Sequence, residues 1–280
     1  MTRNENSTGW LFVSPALLFL GACFLVPVAI MGVKSLAPIH ETDWGILENY
    51  VRFFSQKALL SSLWNSLFIS AIVAVGAVLV GYPLAAAIAF GVPDRRQRLL
   101  LVLLLLPFWT SYVIRSYSWL LVLAPNGIIN STLKTLGLIT TPLRLNFSVF
   151  ATTVGFVHFF SMLAAIIIYA GLRQIDKRVL LAASDLGAGA FMAWRRIILP
   201  ISLPSVAVAA FLSFVMCIGD YVTPQILGGN TRPVLPQAIM EQLNRSNDLP
   251  MAAALAFILT TVVLIVTALC VPLYRTRTSA

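Results

Sequence analysis

The stretch from Leu181 to Pro200, LAASDLGAGAFMAWRRIILP, is polar, carries charge, and lies between apolar runs that are each long enough to cross a bilayer. It holds Ala182 and Ala183, then Gly187 four residues after the second alanine, then Ile197, Leu199 and Pro200 at the edge of the next apolar run. Leu180, Ala183 and Leu186 recur at helical spacing, which predicts a short amphipathic helix between Asp176 and Leu186. Gly187 sits where that helix needs a residue tolerant of a left-handed conformation in order to stop. A second short helix is expected from Phe191 to Leu199, with Pro200 and Pro204 favouring a break before the following run. A helix, a turn and a helix would lie across the membrane surface, either as a docking surface or as an interfacial hairpin that closes a long loop.

Outward from that segment the composition is that of a membrane protein. Of 280 residues, 59% are hydrophobic and only 10% charged, against about 25% charged in soluble domains. A spanning helix needs about 20 apolar residues, and six stretches qualify: about 9–33, 63–90, 99–123, 149–172, 204–227 and 251–273. The fold expected is all-α, a single transmembrane domain over 1–280 with six spans and a polar loop at 173–203, and Pro107 is expected to kink the third span. The net charge of +9 does not indicate nucleic-acid binding, because the basic residues lie in short links between apolar runs and not on one face.

Cys23, Cys217 and Cys270 fall inside apolar runs without metal-ligand or disulfide spacing and are read as small packing residues. Leu20-Gly21-Ala22-Cys23 is close to a lipoprotein cleavage box. The apolar run, however, continues past the cysteine and only Arg3 precedes it.

Lysines and arginines set the orientation. With a cytoplasmic N-terminus, the inner segments hold eleven of them, including Arg95, Arg96, Arg98, Arg173, Arg195 and Arg196, and the outer segments seven. The bias favours both termini inside and places 173–203 in the cytoplasm. Ala37 to Ser62, Ala124 to Ser148 and Gly228 to Pro250 then face outward, and His40, near Glu41 and Asp43, belongs to an outer loop.

The spacing Ala-Ala, three residues, Gly, nine residues, Ile-x-Leu-Pro resembles the cytoplasmic coupling signature of permease subunits of bacterial ATP-binding-cassette importers. Ala182, Ala183, Gly187, Ile197, Leu199 and Pro200 occupy its positions in register, and Ser184-Asp185-Leu186-Gly187-Ala188 is also similar to that family. The family usually has Glu before the two alanines, where this chain has Leu181.

Further similarity is to the spermidine/putrescine branch. It rests on Asn65-Ser66-Leu67, Gly81-Tyr82-Pro83, Pro107-Phe108-Trp109, Ile114-Arg115, Tyr221-Val222-Thr223-Pro224 and Leu227-Gly228-Gly229. The resemblance implies a type I importer permease of the bacterial inner membrane. Its partners would be an ATPase dimer carrying ATP and Mg on the cytoplasmic loops, a second permease, and an extracytoplasmic solute-binding protein, with no cofactor in this chain. Independently, no Lys follows a Gly in the sequence, so the phosphate-binding GxxxxGK[ST] loop is absent and ATP must be hydrolysed elsewhere.

Arg115 and Asp220 are charges inside expected spans, and such residues usually face a partner or a water-filled path. Each lies sixteen residues into its span, about 24 Å at 1.5 Å per residue, so a pair at similar depth is possible. Trp109, Tyr112, Tyr117, Trp119 and Tyr221 crowd the same region, as an interfacial belt or as a wall receiving an amine together with Asp220. The substrate implied is a small charged solute, a polyamine such as spermidine or putrescine. An anionic or zwitterionic solute held by Arg115 is the alternative, and a secondary carrier or channel using the charges as an ion relay is a third reading. His158, beside Phe159 and Phe160 with no second ligand at metal spacing, is read as a packed neutral residue.

Overall fold

The computed structural model describes residues 5–37 and 45–278, and the regular structure among them is entirely helical. In chain order, α1 (Glu5–Ser35), α2 (Glu48–Ser55) and α3 (Lys57–Gly91) precede α4 (Asp94–Leu105), a 3-10 turn at Leu106–Trp109, and α5 (Tyr112–Val122). Then follow α6 (Ile128–Thr135), α7 (Val149–Leu172), α8 (Lys177–Asp185), α9 (Ala190–Ala193), α10 (Leu199–Ile218), α11 (Val222–Leu227), α12 (Leu235–Asn244) and α13 (Leu249–Thr278). His40, Glu41 and Asp43 lie outside the described residues.

Among the described residues five helices are long and apolar enough to cross a membrane, and a sixth results if α4 and α5 count as one broken span. The chain is thus an all-α polytopic membrane protein. Helix α7 begins and ends where the apolar stretch 149–172 does. Its start is fixed by Ser148, whose hydroxyl accepts from Ala151 N at 3.1 Å.

Two expectations fail. Instead of a kink at Pro107, the chain turns by 92° between Asp94–Trp109 and Tyr112–Val122. Proline lacks the N–H and its ring clashes with the preceding turn. Here the 3-10 turn ends the helix outright, with Thr110 N bonding back to Pro107 O at 3.3 Å. Equal depth counted along straight helices therefore does not hold for Arg115.

The break expected at Pro200 and Pro204 is also absent, since one helix runs from Ala190 to Ile218. A π turn at Trp194–Ile198, with Leu199 N bonded to Trp194 O, adds a residue to the turn before Pro200. That extra residue makes room for the proline without ending the helix. At its far end the helix stops at Ile218, so Asp220 lies in a break before α11 and not within a continuous 204–227 span.

Contacts group the described residues into two compact units, those within Met1–Leu60 and Ala238–Val262, and those within Ser61–Gln237 and Val263–Ala280. In the first, Asn49 Nδ2 donates to Ser35 O at 3.1 Å and Ala37 O at 3.0 Å. Arg52 pairs with Asp248 at 3.1 Å, and this tethers α2 to the start of α13. The residues Met251, Ala252, Ala253, Ala254 and Leu255 are buried there. Cys23, on α1, is exposed, whereas Cys217 is buried in the second unit.

In the second unit α7 is the central helix. Its buried residues Gly155, Phe156, Phe160, Ala164, Ala165, Ile168 and Leu172 follow helical spacing. Small residues on α3, α7 and α10 bring backbones close together. A Cβ on Gly81 would meet Ser161 O at 2.8 Å and Ala165 N at 3.0 Å, and one on Gly171 would strike the Ser205 side chain. Tyr82 OH and Ser202 Oγ, 3.2 Å apart and buried, tie α3 to α10.

Because backbone and not a flexible side chain opposes Gly81, Gly81→Ala is expected to lower stability by about 1–3 kcal/mol. Gly91→Ala, where nothing lies within 4 Å, should change it by under about 1 kcal/mol. Thermal unfolding of the two variants in the same detergent checks the difference.

Candidate functional site

The polar segment folds as a capped helix followed by the start of the long α9–α10 helix. Asp176 begins α8 by accepting from Arg178 N at 2.9 Å. At the other end Gly187 takes φ +82°. Ala188 N bonds to Ala183 O and Gly187 N to Ser184 O, each at 2.9 Å. This pair of bonds is the Schellman stop, which a left-handed glycine permits without strain.

The segment's residues divide by exposure. Leu181 is 63% exposed, Leu186 89% and Phe191 71%, while Ala182, Asp185 and Gly187 are exposed and Ala183, Ala188 and Ile197 half-buried. Leu199 packs against the main core and Ile198 is buried in it, while Pro200 is exposed. Trp194 anchors the segment. It stacks on Phe191 at 6.0 Å and meets Tyr82 edge-on at 6.1 Å. The result is an uncovered tip with three exposed apolar side chains beside Asp185, on a base anchored by Trp194. Sequence reasoning misses Trp194, whose only signal is its place three residues after Phe191, on the same side of a helix.

The second region lies where α5 and α11 follow their breaks. Asp220 Oδ1 accepts from Val222 N at 2.8 Å and Oδ2 from Thr223 Oγ1 at 3.0 Å. Thr223 Oγ1 in turn is hydrogen-bonded to Tyr112 OH. Since the Thr223 hydroxyl gives its proton to the carboxylate, Tyr112 is the donor in that second bond. A relay Tyr112–Thr223–Asp220 therefore joins the two breaks. Thr223 is buried and is not singled out by the sequence, although its place three residues after Asp220 is the available signal.

Arg115 and Asp220 do not pair with one another. Arg115 Nη1 donates to Pro107 O at 3.1 Å, a carbonyl that also accepts from Thr110 Oγ1 at 2.7 Å. The guanidinium lies 4.1 Å from the Phe159 ring centre and 5.0 Å from that of Tyr112. Arg115 thus clasps the bend, and a resident cation already covers Tyr112. The aromatics left open are Trp109, 81% exposed, with Tyr117 and Tyr221.

Arg115 also borders a cavity of about 250 Å³ together with Trp119 and His158. His158 Nδ1 accepts from Trp119 Nε1 at 3.3 Å, so it is engaged by packing as expected. Among the described residues no group of three or more His, Cys, Asp or Glu is placed to hold a metal.

Apolar helices long enough to span a membrane, two of them ending at breaks, together with an exposed, glycine-stopped helix, are elements of an importer permease. The chain belongs to the family described as binding-protein-dependent transport system inner membrane component, whose model matches residues 78–275. It is a permease subunit of an ATP-binding-cassette importer and not an enzyme.

Among relatives, the spermidine/putrescine transport system permease protein PotB of Salmonella typhimurium is 30% identical over 257 residues, covering 91% of this chain and 86% of that one. PotB of Haemophilus influenzae is 31% identical over 214 residues, 76% of this chain and 74% of that one. The fold is similar to the crystal structure of a bacterial ABC transporter involved in the import of the acidic polysaccharide alginate. The TM-score is 0.76 at 17% identity, with 96% of each chain covered.

Thr223→Val should leave an oxygen of Asp220 and the Tyr112 hydroxyl without their partner, a loss of about 1–3 kcal/mol. Thr223→Ser keeps the hydroxyl and should stay near wild type. Unfolding midpoints of the purified permease check both.

Proposed function

We propose that this permease imports a polyamine such as spermidine or putrescine into the cytoplasm by alternating access. It does so in the bacterial inner membrane, with both termini inside, beside a second permease that is a distinct paralogue. A solute-binding protein delivers the substrate from outside. An ATPase dimer, which carries the ATP and Mg, grips the segment around α8. The observation that carries the docking role is the exposed apolar tip at Leu181, Leu186 and Phe191 on a base anchored by Trp194. Leu181, where the family usually has Glu, makes this contact apolar rather than charged.

The polyamine reading is supported by the similarity to PotB over most of the chain. It is also supported by a carboxylate in a helix break next to the exposed Tyr221, since transporters form substrate sites where helices are discontinuous. A binding site drives transport only through different affinity in the two states. Asp220 is suited to that because its oxygens are held by Val222 N and Thr223, contacts that a shift of α11 against α10 would alter.

One observation favours a second reading. Arg115 has no carboxylate partner among the described residues and borders a cavity, which suits an anionic or zwitterionic solute.

Uptake by the complete importer in vesicles separates the two readings. Asp220→Asn should cut uptake of labelled spermidine about tenfold to a hundredfold, the worth of one charge-assisted contact, while Arg115→Gln spares it beyond any loss of assembly. Spermidine uptake unchanged in Asp220→Asn would remove that carboxylate from the path.

The docking role has its own test. A branched side chain at φ +82° costs about 1–2 kcal/mol, so Gly187→Val should reduce ATPase co-purification roughly tenfold. Gly187→Asn, which tolerates the left-handed region better, should retain more of it. Full ATPase recovery with Gly187→Val would count against the assignment.

A further inference from the structure

We propose that a cleft between α4 and the end of α7 binds the phosphate of an anionic phospholipid, with the acyl chains lying along α4. The cleft encloses about 470 Å³ and is lined by Asp94, Arg95, Gln97, Arg98, Tyr169 and Arg173. Its floor is already saturated. Gln97, buried, donates to Ala89 O at 3.2 Å and Val92 O at 2.9 Å and accepts from Tyr169 OH at 2.8 Å. Arg173 pairs with Asp94 at 2.9 Å. That leaves the side chains of Arg95 and Arg98, both exposed, without an ion-pair or hydrogen-bond partner among the described residues. Three residues apart on one helix, they point to the same side.

The next turns of α4 decide which anion fits. Leu99, Val102 and Leu103 of α4, and Leu106 where the 3-10 turn opens, are all exposed, at 60%, 51%, 48% and 42%. Their spacing of i, i+3, i+4 and i+7 makes one stripe, and Arg95 stands one turn above Leu99 on it. From Arg98 to Leu106 the stripe descends roughly 12 Å at 1.5 Å per residue, into the hydrocarbon layer. An acidic loop of a soluble protein cannot follow it there, and a free phosphate has no use for it. A diacyl phospholipid matches both halves at once, with two arginines at the headgroup and an aliphatic stripe below them. Basic pockets at the cytoplasmic ends of spanning helices take lipid phosphates by this chemistry.

The test uses the assembled importer in nanodiscs of mixed phosphatidylcholine and phosphatidylglycerol, with the phosphatidylglycerol retained on gentle extraction counted by native mass spectrometry. The double variant Arg95→Gln, Arg98→Gln should lose about thirtyfold in retention relative to phosphatidylcholine. Arg144→Gln, in the connection before α7 and outside the cleft, should match wild type. The double Lys variant should keep most of the lipid, because charge and not fork geometry is the main attraction. If the double Gln variant does not assemble, Arg98→Gln alone should show about a fivefold loss. Unchanged retention in the Gln variants would overturn the proposal. So would displacement of the lipid by excess inorganic phosphate, which would make the cleft a site for free phosphate, or loss of the ATPase with the lipid kept, which would make it a protein contact.

Discussion

The structure depends on close backbone approach along α7. In a bilayer the solvent is as apolar as the side chains, so helices are not driven together by leaving water and must gain from tight packing instead. Gly81 on α3 lies against Ser161 O and Ala164 on α7, Gly155 against Leu227 of α11, and Gly171 against Ser205 of α10. A side chain at Gly81 would press on the backbone of α7, and one at Gly155 or Gly171 would displace the facing Leu227 or Ser205 side chain. Ala164 and Ala165 are fully buried, which continues the same seam. The seam places α3, α10 and α11 around one helix and thereby sets where the polar groups of the breaks can meet.

Those breaks obey a second constraint. Backbone groups freed inside a membrane have no water to satisfy them, so irregular chain persists only where protein supplies partners. At the first break, Pro107 O receives both Arg115 and Thr110. At the second, Asp220 receives Val222 N and Thr223, and the chain of hydroxyls reaches back to Tyr112 on α5. Each intramembrane charge therefore holds its own break together.

The sequence is legible where a local rule decides and silent where a distant partner does. Helix α7 can be read to its ends because apolar length and Ser148 mark them. The stop at Gly187 can be read because one residue type satisfies that conformation. The near-perpendicular turn at Pro107 reads only as a kink, since proline ends the hydrogen bonding but the direction taken afterwards depends on Arg115 reaching Pro107 O. Pro200 reads as a break, yet a π turn upstream absorbs it, and nothing in WRRII announces five-residue bonding. Matching Arg115 with Asp220 by depth assumes straight helices. Their true partners, a backbone carbonyl and a threonine, carry no charge for a pairing argument to find.

The continuity at Pro200 also bears on how the two regions communicate. One helix of 29 residues runs from Ala190 to Ile218, roughly 43 Å at 1.5 Å per residue, and ends two residues before Asp220. Phe191 near one end belongs to the exposed tip, and Ser202 along the shaft is held to Tyr82. Had a loop intervened at Pro200, a push on the tip would be taken up by soft dihedrals. With no loop, a push must either rock the shaft about its contact with α3 or be absorbed in the π turn at Trp194–Ile198. The edge-on contact of Trp194 with the same Tyr82 braces that turn against yielding. Rocking the shaft then moves the carboxylate at its far end relative to Thr223 and Tyr112. On the proposed reading, that displacement is how force at the surface reaches the solute.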